Sequence, residues 1–226
     1  MPKIFCKKGL IALFISLLFI GITPLSVAEE RADTLPTVLV LGDSLSAGYG
    51  MDVHQTWVYM LEQRLQSEGY GYRVINASIS GDTTGNGLRR LPRALSLHQP
   101  EIVIIELGGN DGLRGLPVRV MRNNLESMVR EARDADAMVV LAGILIPPNY
   151  GADYASEFAA VYSSLAKKYE LPLIPFFMEG VALDPSKMQA DGIHPTIEAQ
   201  PILLDNVWKT LRPALGPPPK KALSSS

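Results

Sequence analysis

Short apolar runs alternate with amphipathic stretches along most of the chain. The runs occupy 37–41, 73–77, 101–107, 138–142 and 171–174. They are mostly Val, Ile and Leu and are bounded by Gly, Pro, Asn or Asp, which suits strands buried on both faces. The stretches between them carry helical spacing. At 55–67, Trp57, Tyr59, Met60, Leu61 and Leu65 recur at that spacing, and Gly69 and Gly71 end the segment. Further helices are predicted at about 88–97, from Pro117 as first helical residue to about 134, from Asp153 as cap to about 169, and from about 195 to 211. Strand and helix at this spacing predict an α/β fold. It is a three-layer α/β/α sandwich around a five-stranded parallel sheet.

In such a sheet, ligands bind outside the carboxyl ends of the strands. Three loops follow three predicted strands there, at 42–50, 80–87 and 108–116. The first opens Gly42-Asp43-Ser44, which puts a serine at the strand end beside a small residue. The same tripeptide also serves as turn and helix-cap chemistry. A fourth segment, Asp191-Gly192-Ile193-His194-Pro195, spaces a carboxylate and an imidazole three residues apart. One tight turn then lets Asp191 accept from Nδ1 while Nε2 faces outward, which is the orienter and base half of a serine triad. An incidental histidine in a helix-start turn has the same spacing. His54 and His98 lie in polar stretches and read as solvated. Oxyanion donors are available from the Ser44 and Gly81 backbone N–H groups and the Asn110 amide, although Gly and Asn at these positions also suit plain loop geometry.

Leu113 and Leu116 in the third loop face Ile146, Pro147 and Pro148 in the segment 146–152. These residues are read as an acyl groove, made deformable by Gly108, Gly109, Gly112 and Gly115. The alternative is that the two segments pack together and leave a short acyl pocket.

The first 28 residues read as a cleaved signal peptide. Lys3, Lys7 and Lys8 precede an apolar stretch, and Ser26-Val27-Ala28 supplies small residues for cleavage after Ala28. The apolar stretch is short for a span, so no stable membrane anchor remains after processing. Cys6 is the only cysteine and leaves with this segment, which excludes thiolate nucleophiles and thiolate metal sites. An exported, periplasmic protein without disulfides needs a full core, which 29–212 is long enough to supply as one domain. Of 21 basic side chains, removal of the three leader lysines leaves 18 against 23 acidic ones, a net charge of −5. An acidic, unclustered surface gives no footprint for nucleic acid. The end of the chain, 213–226, contains Gly216-Pro217-Pro218-Pro219-Lys220-Lys221 and reads as a disordered tail.

Together, Gly42-Asp43-Ser44-Leu45, Gly81, Gly108-Gly109-Asn110-Asp111 and Asp191-Gly192-Ile193-His194 resemble the four blocks of the GDSL, or SGNH, hydrolases, in the family's order and spacing. The strings 76–83, 106–115 and 175–179 resemble its bacterial periplasmic thioesterase and lysophospholipase branch. The resemblance spans nearly all of 35–212. It implies a flavodoxin-like strand order 2-1-3-4-5. It also implies Ser44 as nucleophile, His194 as base, Asp191 as orienter, and Ser44, Gly81 and Asn110 as oxyanion donors. The substrate implied is a small acyl ester or thioester, with no metal or other cofactor and a monomeric enzyme. Gly-x-Ser-x-Ser replaces the Gly-x-Ser-x-Gly elbow of α/β-hydrolases. A carbohydrate or peptidoglycan O-deacetylase on the same triad is the alternative. A nucleotide-binding module built on the loop 81–87 is remoter, because neither Gly-x-Gly-x-x-Gly nor Gly-Lys-Ser/Thr occurs. So is a noncatalytic lipid-binding relative.

Overall fold

The computed structural model describes residues 35–218. The leader expected over 1–28, and the part of the expected tail beyond 218, lie outside the described residues. Strands β1 (Thr37–Gly42) and β3 (Ile102–Glu106) are buried along their whole length, as their apolar runs require. With β2 (Arg73–Asn76), β4 (Met138–Ala142) and β5 (Leu173–Ile174) they form one parallel sheet in the order β2-β1-β3-β4-β5. The order reverses at β1, so the loops after β1 and β3 part on that edge and leave a crevice. Gly42 stands opposite Glu106 there, each the last residue of its strand.

The helices are α1 (Ser44–Ala47), α2 (Trp57–Ser67), α3 (Thr84–His98), α4 (Gly109–Leu113), α5 (Val118–Asp134), α6 (Ala152–Tyr169) and α7 (Gln200–Leu215). On one face α2 packs against α7; on the other α3, α5 and α6 pack side by side. Trp57 of α2 meets Phe177 edge to face, with ring centroids 5.5 Å apart, and both are fully buried.

Several boundaries differ from the sequence reading, each because a tertiary contact intervenes. The glycine-rich loop 80–87 is shorter than expected, since α3 already begins at Thr84. Thr83 caps it, and Asp111 accepts the Thr84 N–H at 2.8 Å and its hydroxyl at 2.6 Å. Gly87 lies within that helix, where a Cβ would stand 2.3 Å from Leu107 Cδ1. The loop 108–116 contains α4. Pro117 takes the cap position of α5, one residue before the helix. Asp153 is no cap: Gly151, at φ +99°, holds that position before α6. The last helix starts at Gln200, because Pro195 pairs with Met188 in an antiparallel bridge and 197–199 forms a 3-10 turn. Gln200 then accepts the Trp57 N–H at 3.0 Å, so α7 also supplies an acceptor to the start of α2. Val53–Gln55 is likewise a 3-10 turn, and α2 begins at Trp57 behind its Thr56 cap. Strand pairing at 171–174 is confined to Leu173 and Ile174. At the C-terminus α7 runs to Leu215, past the domain end expected at 212.

Candidate active site

Asp43 caps α1 by accepting the Leu45 N–H at 3.0 Å, which turns the chain at the end of β1 and leaves Ser44 half-buried at the helix start. Across the crevice, Gly192 at φ +68° lets 191–194 fold back on itself. Asp191 Oδ1 accepts the Ile193 and His194 N–H groups at 2.9 and 3.0 Å, and its Oδ2 lies 2.7 Å from His194 Nδ1. His194 Nε2 lies 2.9 Å from Ser44 Oγ. The bond from the His194 ring and those two backbone donors hold the Asp191 carboxyl down at about 2. Asp191 is therefore an acceptor at neutral pH, and Nδ1 carries the proton. Nε2 is left as the acceptor for the serine hydroxyl.

The imidazole is held from a third side. Tyr49 stacks on it with ring centroids 4.2 Å apart and planes inclined by 28°. Gln189 ties the two segments together: its Nε2 donates to Tyr49 O and Pro195 O, both at 2.9 Å, and its backbone N–H donates to His194 O at 2.7 Å.

Gly81 sits at φ +83°, and neither its N–H nor that of Ser44 donates to any described residue. Both remain available to a ligand. Asn110 stands in the first turn of α4. Its amide nitrogen donates to Asp43 Oδ2 and to Asp82 O, both at 3.0 Å. Both amide protons thus have acceptors within the protein.

Two buried carboxyls lie under the crevice. Burial pushes Asp43 from 3.8 up to about 6, against the opposing effect of the Leu45 N–H and Asn110. Burial, together with the nearby Asp43, pushes Glu106 well above the usual carboxylate range. Glu106 Oε2 accepts the Ser46 hydroxyl at 2.6 Å. Among the described residues no three His, Cys, Asp or Glu side chains converge as a metal site requires.

The expected acyl groove is corrected in part. Leu113 and Pro147 are exposed and Leu116 is half-buried, but Ile146 is only 9% exposed and packs on α4. A Cβ on Gly112 would stand 2.4 Å from Ile146 Cγ2, and one on Gly108 would stand 2.1 Å from the Tyr162 hydroxyl. These glycines permit close packing rather than deformation. The two segments are joined, too: Tyr154 donates to Leu116 O at 2.7 Å and Tyr150 to Leu113 O at 3.3 Å.

The sequence reading gave Gly-Asp-Ser as possible cap chemistry but missed Asp43 as the acceptor for the Asn110 amide. It also missed Tyr49 and Gln189, whose roles arise only once distant segments dock.

Comparison with known proteins places this geometry in a lineage. Residues 40–200 match the GDSL-like Lipase/Acylhydrolase family. The chain is 51% identical over 200 residues to "Esterase TesA" of Pseudomonas aeruginosa, covering 88% of this chain and 99% of that protein. It is 48% identical over 183 residues to "Thioesterase 1/protease 1/lysophospholipase L1" of Escherichia coli K12, covering 81% of this chain and 86% of that one. A solved structure of TesA superposes with a TM-score of 0.77 at 54% identity, covering 78% of this chain and 98% of that one. With the sheet order and the four sequence blocks in agreement, the chain belongs to the GDSL-like lipase/acylhydrolase, or SGNH hydrolase, family.

Proposed function

We propose that the protein is a serine hydrolase that cleaves acyl esters and thioesters through an acyl-enzyme on Ser44. The observation that carries this reading is the 2.9 Å contact from Ser44 Oγ to His194 Nε2, backed by the 2.7 Å contact from Nδ1 to Asp191. His194 Nε2 takes the hydroxyl proton as Ser44 Oγ bonds to the acyl carbon. The carbonyl oxygen becomes an oxyanion, met by the Ser44 and Gly81 N–H groups and the Asn110 amide. Asp191 stabilises the imidazolium that forms. Collapse breaks the bond to the leaving oxygen or sulfur, which receives the proton from Nε2. Water then repeats the sequence on the acyl-enzyme: His194 takes its proton and returns it to Ser44 Oγ, releasing the free acid.

The names of the relatives, esterase in one case and thioesterase and lysophospholipase in the other, support esters and thioesters as the substrate class. Exposed Leu113 and Pro147 and half-buried Leu116, on the segments that follow β3 and β4, supply apolar surface for the acyl chain in this reading. The lysine-headed apolar leader supports export to the periplasm. No helix among the described residues is long and apolar enough to cross a membrane.

The test is covalent. A p-nitrophenyl alkylphosphonate should release nitrophenolate stoichiometrically and leave its phosphonyl group on the peptide containing Ser44, as read by mass spectrometry. Labelling elsewhere, or none in a preparation that still hydrolyses p-nitrophenyl acetate, would overturn the assignment.

A further inference from the structure

One side chain outside the triad spans the same sheet edge. Arg90, on α3, holds three acceptors with one guanidinium, one at the end of β1 and two in the connection from β2 to α3. Its Nε donates to Asp82 Oδ2 at 2.6 Å, its Nη2 to Gly42 O at 3.1 Å, and its Nη1 to Ala77 O. The side chain is 22% exposed and that of Asp82 10%, so the pair is shielded from water and only weakly screened.

The three acceptors are where the oxyanion donors are anchored. Gly42 ends β1, two residues before Ser44, and its carbonyl also accepts the Ile79 N–H at 3.1 Å. Ala77 follows β2 directly. Asp82 follows Gly81, and its own carbonyl accepts the Asn110 amide at 3.0 Å. Asn110 in turn bonds Asp43, next to Ser44. A single planar fork thus closes a loop of contacts through all three donor-bearing segments.

We propose that Arg90 is the positioning residue of the oxyanion hole: it fixes the Gly81 N–H against the Ser44 turn without touching substrate. The inference rests on the catalytic reading of Ser44. Donor geometry matters because an oxyanion forms only in the transition state. A misplacement of about 1 Å in such a site costs about 100-fold in rate. Lysine is no substitute, since an ammonium is a point charge and cannot bridge three acceptors in one plane.

The test uses Arg90→Ala, Arg90→Lys and Asp82→Asn in the full-length protein, each checked for a cooperative thermal transition. With p-nitrophenyl butyrate, R90A and R90K should both lose about 100-fold in kcat with little change in KM, and D82N should fall between them and wild type. The rate of Ser44 phosphonylation should fall in parallel, because that reaction uses the same donors. Wild-type kcat in folded R90K would overturn the proposal, reducing Arg90 to a counter-ion for Asp82. A loss confined to KM would also overturn it. If R90A does not fold, R90K and D82N decide by the same criteria. Absence of Ser44 labelling in the wild type would instead defeat the underlying function, so the two failures are distinguishable.

Discussion

Asn110 has a structural duty beside its proposed catalytic one. Its amide joins Asp43 to the Asp82 carbonyl, which fixes the direction of the donor proposed for the oxyanion. Asn110→Ala should therefore lower kcat by about 100-fold to 1000-fold with KM nearly unchanged, measured on a soluble short-chain ester. A change in KM alone would mean that Asn110 binds ground-state substrate. Asp43 makes a thermodynamic prediction. Its folded-state value is about 6 against 3.8, so the folded protein holds this proton more tightly than the unfolded chain. The group's contribution to stability is then fully present below 3.8 and is lost as pH rises through about 6. Relative to Asp43→Asn, wild type should lose about 3 kcal/mol across that window, read from denaturant unfolding at a series of pH values. A difference independent of pH would show that Asp43 does not titrate there. Of these residues, Ser44, Asp191 and His194 were candidates from strand end and tight turn, local features that also suit plain turn chemistry, and the four-block resemblance singled them out; the structure brings them together. Tyr49, Gln189 and Arg90 were not candidates, because each acts on a segment remote in the chain.

At the scale of elements, strands were easier to read than helix starts. An apolar run between polar residues announces a strand by itself, although β2, at the sheet edge, is only half-buried. A helix start depends on what satisfies its first N–H groups, and here distant residues do so: Asp111 for α3, and Gln200 for α2. The same dependence corrected the acyl groove. Sequence alone placed Ile146 beside Leu113, but α4 brings Gly112 against Ile146 and buries it. The two positions should now behave differently. Ile146→Asp buries an unpaired charge beside α4, so the melting temperature should drop sharply and acetyl and octanoyl esters should suffer alike. Leu113→Asp should leave the melting temperature nearly unchanged and lower kcat/KM for octanoyl more than for acetyl esters, each lost methylene contact costing at most about 0.8 kcal/mol. Equal losses on both esters in L113D would place the acyl chain elsewhere.

For the whole molecule, the sheet order is what makes a site from four separated pieces of chain. The spacing of runs made a parallel sheet legible, while the order 2-1-3-4-5 came from resemblance, since spacing alone does not say which strands are neighbours. The serine and the imidazole are 150 residues apart in sequence. Parallel pairing of remote strands is slow to form. Hydrolytic activity after dilution from denaturant should therefore return with the near-ultraviolet signal of the buried tryptophans, not with the earlier far-ultraviolet helix signal. Activity that led the tertiary signal would show that the site assembles before the sheet. The position of the Asp191–His194 turn has a consequence for synthesis itself. A ribosome delivers the proposed nucleophile, Ser44, early and its proposed base, His194, late. A chain cut short before Asp191 carries a serine that nothing activates. Under the proposed mechanism, hydrolytic power therefore waits until residue 194 has been made.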